Sequence, residues 1–475
     1  MAGILFMGFA LPAQAQVTLD DVLKRVEALE KENAELKAEV QSMKATQVSA
    51  ADIQKATTAA VASATAASAP TGNFVKTKYG VELYGIVIAT AAYDQANAGS
   101  GQVFNGTTTI YNAPHQNAVA GTDVNAKHHD LLRASAQDSR LGLNFSGPAM
   151  DSGAKLTGKL EMDFAANTSG FIKGDNSTTG STGNLTGSGV YMPRLRLGYL
   201  SYDQDKWGVT AGQNWDFFSQ VKPDMLNAAN LWRAGSFGYR HPEVYLTNRW
   251  GEFLAGKWTT QVGALDSEDP DQQNSATPVA GAALKYETKI FGVASAIAIG
   301  GFYGKDSLDT ATAYGSHTVP IYGTVVGMTL KFTDWLAFKT QGFSGSKVNQ
   351  FMGGPGSSTT LNLGLNDSTG TNVNGTTSTK GLRDMGGFVQ LTYNPVAKIE
   401  TNFGAGIDSI NGDAYILTAD QQYLWKANRS YYSNIKYSLT KDVLVGLEYQ
   451  NFNTNWLDGM KSTDNRVQSS VIYKF

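Results

Sequence analysis

Between Val81 and Phe475 the sequence alternates apolar and polar residues in sixteen separate runs, and few architectures accommodate that. The runs are Val81–Tyr93, Ser139–Ser146, Lys155–Phe164, Met192–Tyr202, Trp207–Trp215, Glu243–Trp250, Gly256–Leu265 and Val279–Glu287 in the first half. Val293–Tyr303, Tyr322–Phe332, Leu336–Phe343, Gly386–Tyr393, Ile399–Asp408, Tyr431–Ser438, Val443–Gln450 and Arg466–Phe475 complete the set. A period of two places successive side chains on opposite faces of a strand, and about ten residues is the length of a tilted strand that crosses a bilayer. The connections alternate strictly. Short turns such as Asp203-Gln204-Asp205 and Leu439-Thr440-Lys441-Asp442 are interleaved with long segments at about 94–138, 165–191, 216–242, 266–278, 304–321, 344–385, 409–430 and 451–465.

The two faces of each run separate cleanly. Leu156, Leu160, Met162 and Phe164 oppose Lys155, Lys159, Glu161 and Asp163, and by this parity no run carries a charge on its outer face. A charge facing lipid at mid-depth costs about 2–4 kcal/mol, so a membrane barrel requires that absence. Tyr84, Tyr93, Trp207, Trp250, Trp335, Tyr393, Tyr437 and Tyr473 stand near run ends, where interfacial girdles lie. Composition fits: 21 Tyr, 21 Phe, 8 Trp and 51 Gly belong to a large antiparallel β protein, and no run of apolar residues is long enough for a membrane helix. The expected fold is a 16-stranded antiparallel outer-membrane β-barrel with an N-terminal α-helical coiled coil. An even strand number puts both chain ends on the short-turn, periplasmic side.

The coiled coil is read from Leu19, Val22, Val26, Leu29, Asn33, Leu36, Val40 and Met43, spaced alternately by three and four. Arg25, Glu32 and Glu39 at g face Glu30, Lys37 and Lys44 at the following e positions, an opposite-charge pairing that favours parallel chains in register. Asn33 fixes register without choosing between dimer and trimer. Ile4–Leu11 and Ala13-Gln14-Ala15 read as the apolar core and cleavage site of a signal peptide, although Met1-Ala2-Gly3 lacks the usual basic residue and the true start is expected upstream. The expected organisation is therefore a signal peptide over 1–15, a coiled coil over 16–48, an Ala/Ser/Thr-rich linker over 49–73 and a barrel over 74–475. The closing alternation Val467-x-Ser469-x-Val471-x-Tyr473-x-Phe475 resembles the terminal signal read by the barrel-assembly machinery, which assigns Tyr473 and Phe475 to assembly.

Inward parity offers a test of solute charge. Thirteen inward basic residues face eight inward acids, although the whole chain carries a formal charge of −3. Rings of Lys and Arg favour the passage of anions. Arg194 and Arg196, two apart on one face and roughly 7 Å apart at 3.4 Å per residue, could hold both ends of a small dianion, or could instead pair with Glu161 and Asp163 on the preceding strand. The third long segment carries Phe217, Phe218, Trp232, Arg233 and Arg240. If it folds inward, Arg233 and Arg240 join Arg194, Arg196, Arg249, Arg140 and Lys159 at a constriction, with Trp232 as an aromatic surface.

Other classes fit less well. The five histidines, His115, His128, His129, His241 and His317, fall in the expected loops, and neither a nucleophile–base constellation nor a metal-binding spacing is evident, so neither an enzyme nor a cofactor is expected. The net charge gives no footprint for nucleic acid. A coiled-coil tether that uses the barrel only as an anchor is the alternative. It is disfavoured by a short arm beside a wide lumen.

Taken together, the arm Leu19–Met43, the run Gly208-Val-Thr-Ala-Gly-Gln213-Asn-Trp215, the run Ser139-Arg-Leu-Gly-Leu143 and the terminal Phe475 resemble the DcaP-like porins of Acinetobacter and its relatives. The resemblance implies a homotrimer in outer-membrane lipid and lipopolysaccharide, with its arms in the periplasm. It also implies uptake of small anionic solutes such as dicarboxylic and aromatic dicarboxylic acids.

Overall fold

A computed structural model of the chain describes residues 80–95, 130–148, 150–166, 192–266, 277–309, 316–348, 351–352, 383–411, 425–456 and 459–475, with single positions at 30–31, 34–35, 37 and 113. The chain divides into two compact units, Met1–Gly72 and Asn73–Phe475. In the first, Glu30, Lys31, Ala34, Glu35 and Lys37 are helical, while the seam residues Leu19 to Met43 and the signal segment lie outside the described residues.

In the second unit the alternating runs fold as β1 (Gly80–Asp94), β2 (Leu131–Ser135), β3 (Arg140–Ser146), β4 (Lys155–Ala166), β5 (Met192–Asp203), β6 (Trp207–Trp215), β7 (Arg240–Phe253), β8 (Gly256–Leu265) and β9 (Val279–Ile290). They continue as β10 (Val293–Asp309), β11 (Ser316–Lys331), β12 (Leu336–Ser346), β13 (Arg383–Val396), β14 (Ile399–Asn411), β15 (Trp425–Ser438), β16 (Val443–Trp456) and β17 (Lys461–Lys474). Both β2 and β3 pair with β1, so they are two halves of one stave, and the barrel has sixteen. Neighbouring staves are antiparallel, and β1 pairs with β17 from Ile86–Lys474 to Asp94–Arg466, which closes the cylinder.

At the closing seam the backbone of Phe475 exchanges hydrogen bonds with Gly85, at 2.9 and 3.0 Å. The Phe475 ring lies over Gly85, where a Cβ would come within 2.3 Å of it, so a side chain at that position would displace the ring. Higher on the seam Arg466 and Asp94 form an ion pair at 3.0 Å, with both side chains 1% exposed.

The outer surface is apolar, as the alternation requires. Leu83, Val87, Leu200, Val326, Val389, Leu391, Phe403, Ile435, Leu447 and Val471 are exposed around the cylinder. Trp207, Trp250, Trp335, Tyr393, Tyr437 and Tyr473 ring the short-turn end, and Tyr93, Tyr303, Tyr322 and Tyr431 lie toward the other. From Leu83 to Tyr93 is ten residues, about 34 Å of strand, or about 26 Å of height at a 40° tilt, which matches the apolar band of an outer-membrane barrel.

Two expectations need correction. The second stave is broken at 136–139, and β10, β11 and β13 outrun the expected ten residues or so, with 17, 16 and 14. The extensions lie at the long-loop end, beyond the apolar band. There outward charges do occur, as at Arg383, Lys426, Arg429 and Lys461, because no lipid opposes them.

Substituting Val389 by Lys at mid-band is expected to lower the unfolding free energy in lipid vesicles by about 2–4 kcal/mol. A denaturant midpoint equal to the parent's would contradict the membrane placement of this face.

Candidate functional site: a narrowing of the barrel lumen

The segment between β6 and β7, residues 216–239, turns into the lumen and crosses it. Its first turn packs on the wall, where Phe217 and Phe218 meet Gly281 of β9 and Phe218 meets Gly300 of β10. Val221 then lies over Gly327 of β11, Asp224 pairs with Lys339 of β12 at 2.5 Å, and Leu226 lies over Gly446 of β16. The carboxylate of Glu448 accepts the backbone N–H groups of Leu226 and Asn227 at 2.7 and 2.8 Å, which moors the far end to the opposite wall. Returning, the Ala234 carbonyl sits against Gly406 of β14, and Gln341 accepts the Phe237 N–H at 2.7 Å. Inward glycines on the wall make this route possible, since at Gly300, Gly327, Gly406 and Gly446 a Cβ would come within 2.0–2.7 Å of the loop.

The loop fills one side of the lumen. Phe217, Phe218, Phe237, Phe302, Phe343, Phe351 and Met352 form a buried cluster against β9–β12. On the side of β3–β6 a cavity of 430 Å³ remains. Arg140, Lys159, Arg194, Arg196 and Lys222 line it, opposite Trp215, Trp232 and Tyr239 of the loop and its stem.

The arginine ladder is set by a bulge. Glu161 on β4 pairs with Leu197 and Met162 with Leu195, so Arg196 is the extra residue, and both it and Leu197 reach the cavity. Arg194 grips Asp163 bidentately, at 3.0 and 2.7 Å. Arg196 donates to Glu161 at 2.9 Å and to Asp163 at 2.8 Å. The pairing with Glu161 and Asp163 that the sequence allowed is therefore the one the structure adopts. Tyr84 donates to Glu161 at 2.8 Å, and Lys159 sits 4.6 Å over the Tyr84 ring. Five cations face Asp138 and Glu161, with Asp163 buried against Arg194 and Arg196 and Asp216 beside Lys222, so cations outnumber carboxylates five to four at the narrowing.

Among the residues singled out from sequence, Arg140, Lys159, Arg194, Arg196 and Trp232 meet at this cavity. Three arginines do not line it. Arg249 is held at the short-turn end by Asp203 at 2.6 Å and the Gln204 carbonyl at 3.1 Å. Arg233 takes a left-handed backbone (φ 63°) that turns it toward the other wall, where it is coupled electrostatically to Asp384 and Asp408 of β13 and β14. Arg240 is buried behind the narrowing, its guanidinium 5.4 Å from the Trp215 ring and 4.9 Å from that of Tyr239. Sequence parity missed Lys222, Trp215, Tyr239 and Asp138. The inward glycines were the usable signal for the loop's path, because a glycine in a strand marks close backbone approach.

No family model matches the sequence, and no curated protein does. Solved structures do match. The outer-membrane channel DcaP of Acinetobacter baumannii aligns over 84% of this chain and 99% of its own, with 20% identity and a TM-score of 0.58. The fold is that of an outer-membrane porin. An anion-selective porin from Comamonas acidovorans (12% identity, 84% of this chain and 100% of that one, TM-score 0.50) and OprB of Pseudomonas putida (11%, 83% and 94%, TM-score 0.50) share it.

Asp163→Asn is expected to leave Arg194 and Arg196 undercompensated. Breaking this buried pairing costs about 3–5 kcal/mol of folding stability. In barrels that fold, the zero-current potential across a salt gradient should shift toward anions, and an unmoved potential would show that the carboxylate does not set the field of the lumen.

Proposed function

We propose that this chain forms an outer-membrane diffusion channel that prefers small anions, with dicarboxylic and aromatic dicarboxylic acids as its solute class. The observation that carries the reading is the narrowing itself. A basic ladder on β3–β5 faces an aromatic wall of Trp215, Trp232 and Tyr239 across a 430 Å³ space, in a chain whose formal net charge is −3. Guanidinium groups bind carboxylates in a fixed fork. A low-dielectric wall focuses their field, so a modest local surplus outweighs the overall charge. A flat solute can lie along the aromatic wall while its carboxylates meet the ladder, exchanging partners with Glu161 and Asp163 as it passes. The likeness to DcaP and to an anion-selective porin supports the same reading at the level of fold.

The same proposal extends to assembly. The heptad arm Leu19–Met43 would join three copies as a parallel coiled coil in the periplasm, beneath barrels set in phospholipid and lipopolysaccharide. Tyr473 and Phe475 would be read by the assembly machinery before the seam with Gly85 closes.

Replacing Arg194 and Arg196 together by Ala tests the solute preference. It removes two cations and leaves Glu161 and Asp163 facing the lumen, so the reversal potential should move toward cation preference and dicarboxylates should lose their advantage over monocarboxylates. An unchanged reversal potential would refute the assignment.

A further inference from the structure

Lys222 belongs to none of the groups that the sequence pattern singled out, yet it stands where the inward loop leaves the wall. Its ammonium donates to the carbonyls of Phe237 and Gly238 at 2.5 and 2.9 Å and to Ser219 Oγ at 3.4 Å. It therefore ties the outgoing strand of the loop, near 219–222, to the returning strand, near 237–238. The site is shaped for it. Gly238 has φ of 113°, and a Cβ there would come within 2.4 Å of the ammonium and 1.7 Å of Ser219 Oγ. Asp216 closes the same neck, since its carboxylate accepts the Tyr239 N–H at 2.8 Å and its own N–H donates to the Tyr239 carbonyl at 2.9 Å. The ammonium of Lys222 lies over the Trp215 ring, 5.1 Å from its centroid.

The neck also lies between two spaces. The 430 Å³ narrowing is on one side. On the other, a chamber of 470 Å³ is bounded by the loop's first turn and by Tyr245, Thr259, Gln261 and Lys285 of β7–β9. Asn214, Trp215 and Lys222 line both. Lys222 is the one cation shared by the two chambers among the described residues.

We infer that Lys222 is a positioning residue of the channel: its ammonium, by clamping the neck of the inward loop, keeps the two chambers apart and so sets the cross-section through which solutes pass. The clamp needs the charged form, because three oxygen acceptors converge on one nitrogen. Burial pushes the ammonium below the ordinary lysine pKa of about 10.4, partly offset by Asp216, and burial pushes the Asp216 carboxyl up. The titratable and charged groups around the clamp are Asp216 on the loop, Arg240 and Glu243 on β7, Arg194 and Arg196 on β5, and Lys285 on β9. Asp216 bears directly on Lys222; Glu243 acts on Asp216 and titrates as well, and the Lys222→Met variant, which keeps Glu243, separates its effect from release of the clamp.

The inference rests on the channel reading but is tested by a different quantity, single-channel conductance in planar bilayers. Lys222→Met should raise conductance about 1.5-fold or more at neutral pH, since the narrowest cross-section governs flow. Gly238→Ala, which displaces the ammonium from the opposite side, should give the same rise. The parent channel should climb toward the variants' conductance between roughly pH 7 and pH 9.5, while Lys222→Met stays flat over that range. Should either variant fail to fold, as judged by its heat-modifiable migration in gels, the other variant's conductance against the parent decides. Parent and variant conductances that coincide, or a parent profile flat to the alkaline limit, would overturn the clamp. The parent's reversal potential is indifferent to this outcome. If that potential shows no anion preference, the solute reading fails while the conductance comparison still stands.

Discussion

The carboxylate of Glu448, receiving two backbone N–H groups of the inward loop, is the contact on which the arrangement of the lumen depends. Around it the loop's remaining moorings, to Lys339, Gln341, Gln390, Asn428 and Asn434, spread over β12–β15. A peptide chain led through a wide lumen has to satisfy its backbone polar groups away from any regular ladder. Here the barrel wall supplies those partners from inward amides and carboxylates, and glycines supply the clearance. Because the moorings lie on β9–β16, the loop is pressed to that side and the open passage is left against β3–β6, where the arginines are. Where the charge is concentrated thus follows from where the loop is tied.

This explains how a chain of slightly negative net charge can present a basic passage. Many inward acids are occupied elsewhere: Glu448 and Asp224 hold the loop, Glu400 pairs with Lys436 at 2.9 Å, and Asp94 holds Arg466 at the seam. Asp138, Glu161 and Asp163 stand beside the ladder, and the last two serve two purposes. They satisfy the arginines in the absence of solute, and they orient the guanidinium edges by bidentate geometry. A wholly unpaired ladder in this position would carry a large desolvation and repulsion cost, and the pairing keeps the surplus of positive charge small.

How much of this the sequence disclosed depends on the physics of each part. The staves were legible because every strand has one face in lipid and one in the lumen, so the alternation in Lys155–Phe164 or Val443–Gln450 is forced residue by residue. The terminal stave Arg466–Phe475 was legible for the same reason, although its closure on β1 and the fit of its ring over Gly85 were not. The bulge at Arg196 left no mark in the pattern, since a single extra residue shifts parity only locally. Arg249, Arg233 and Arg240 were misplaced because parity reports the side of a wall and not height in the barrel, and because a loop's backbone follows its acceptors. Lys222 was invisible: its partners are carbonyls and a hydroxyl brought together only when the loop folds back on itself.

The narrowing is expected to govern ion passage through the barrel. The most direct measurement is the zero-current potential of the purified parent protein, reconstituted in a planar bilayer under a tenfold gradient of potassium chloride at neutral pH. The basic surplus at the narrowing predicts discrete current steps and a potential whose sign marks chloride as the more permeant ion, weakening as salt rises and screens the ladder. Steps with potassium as the more permeant ion, or a membrane that shows no steps, would contradict it.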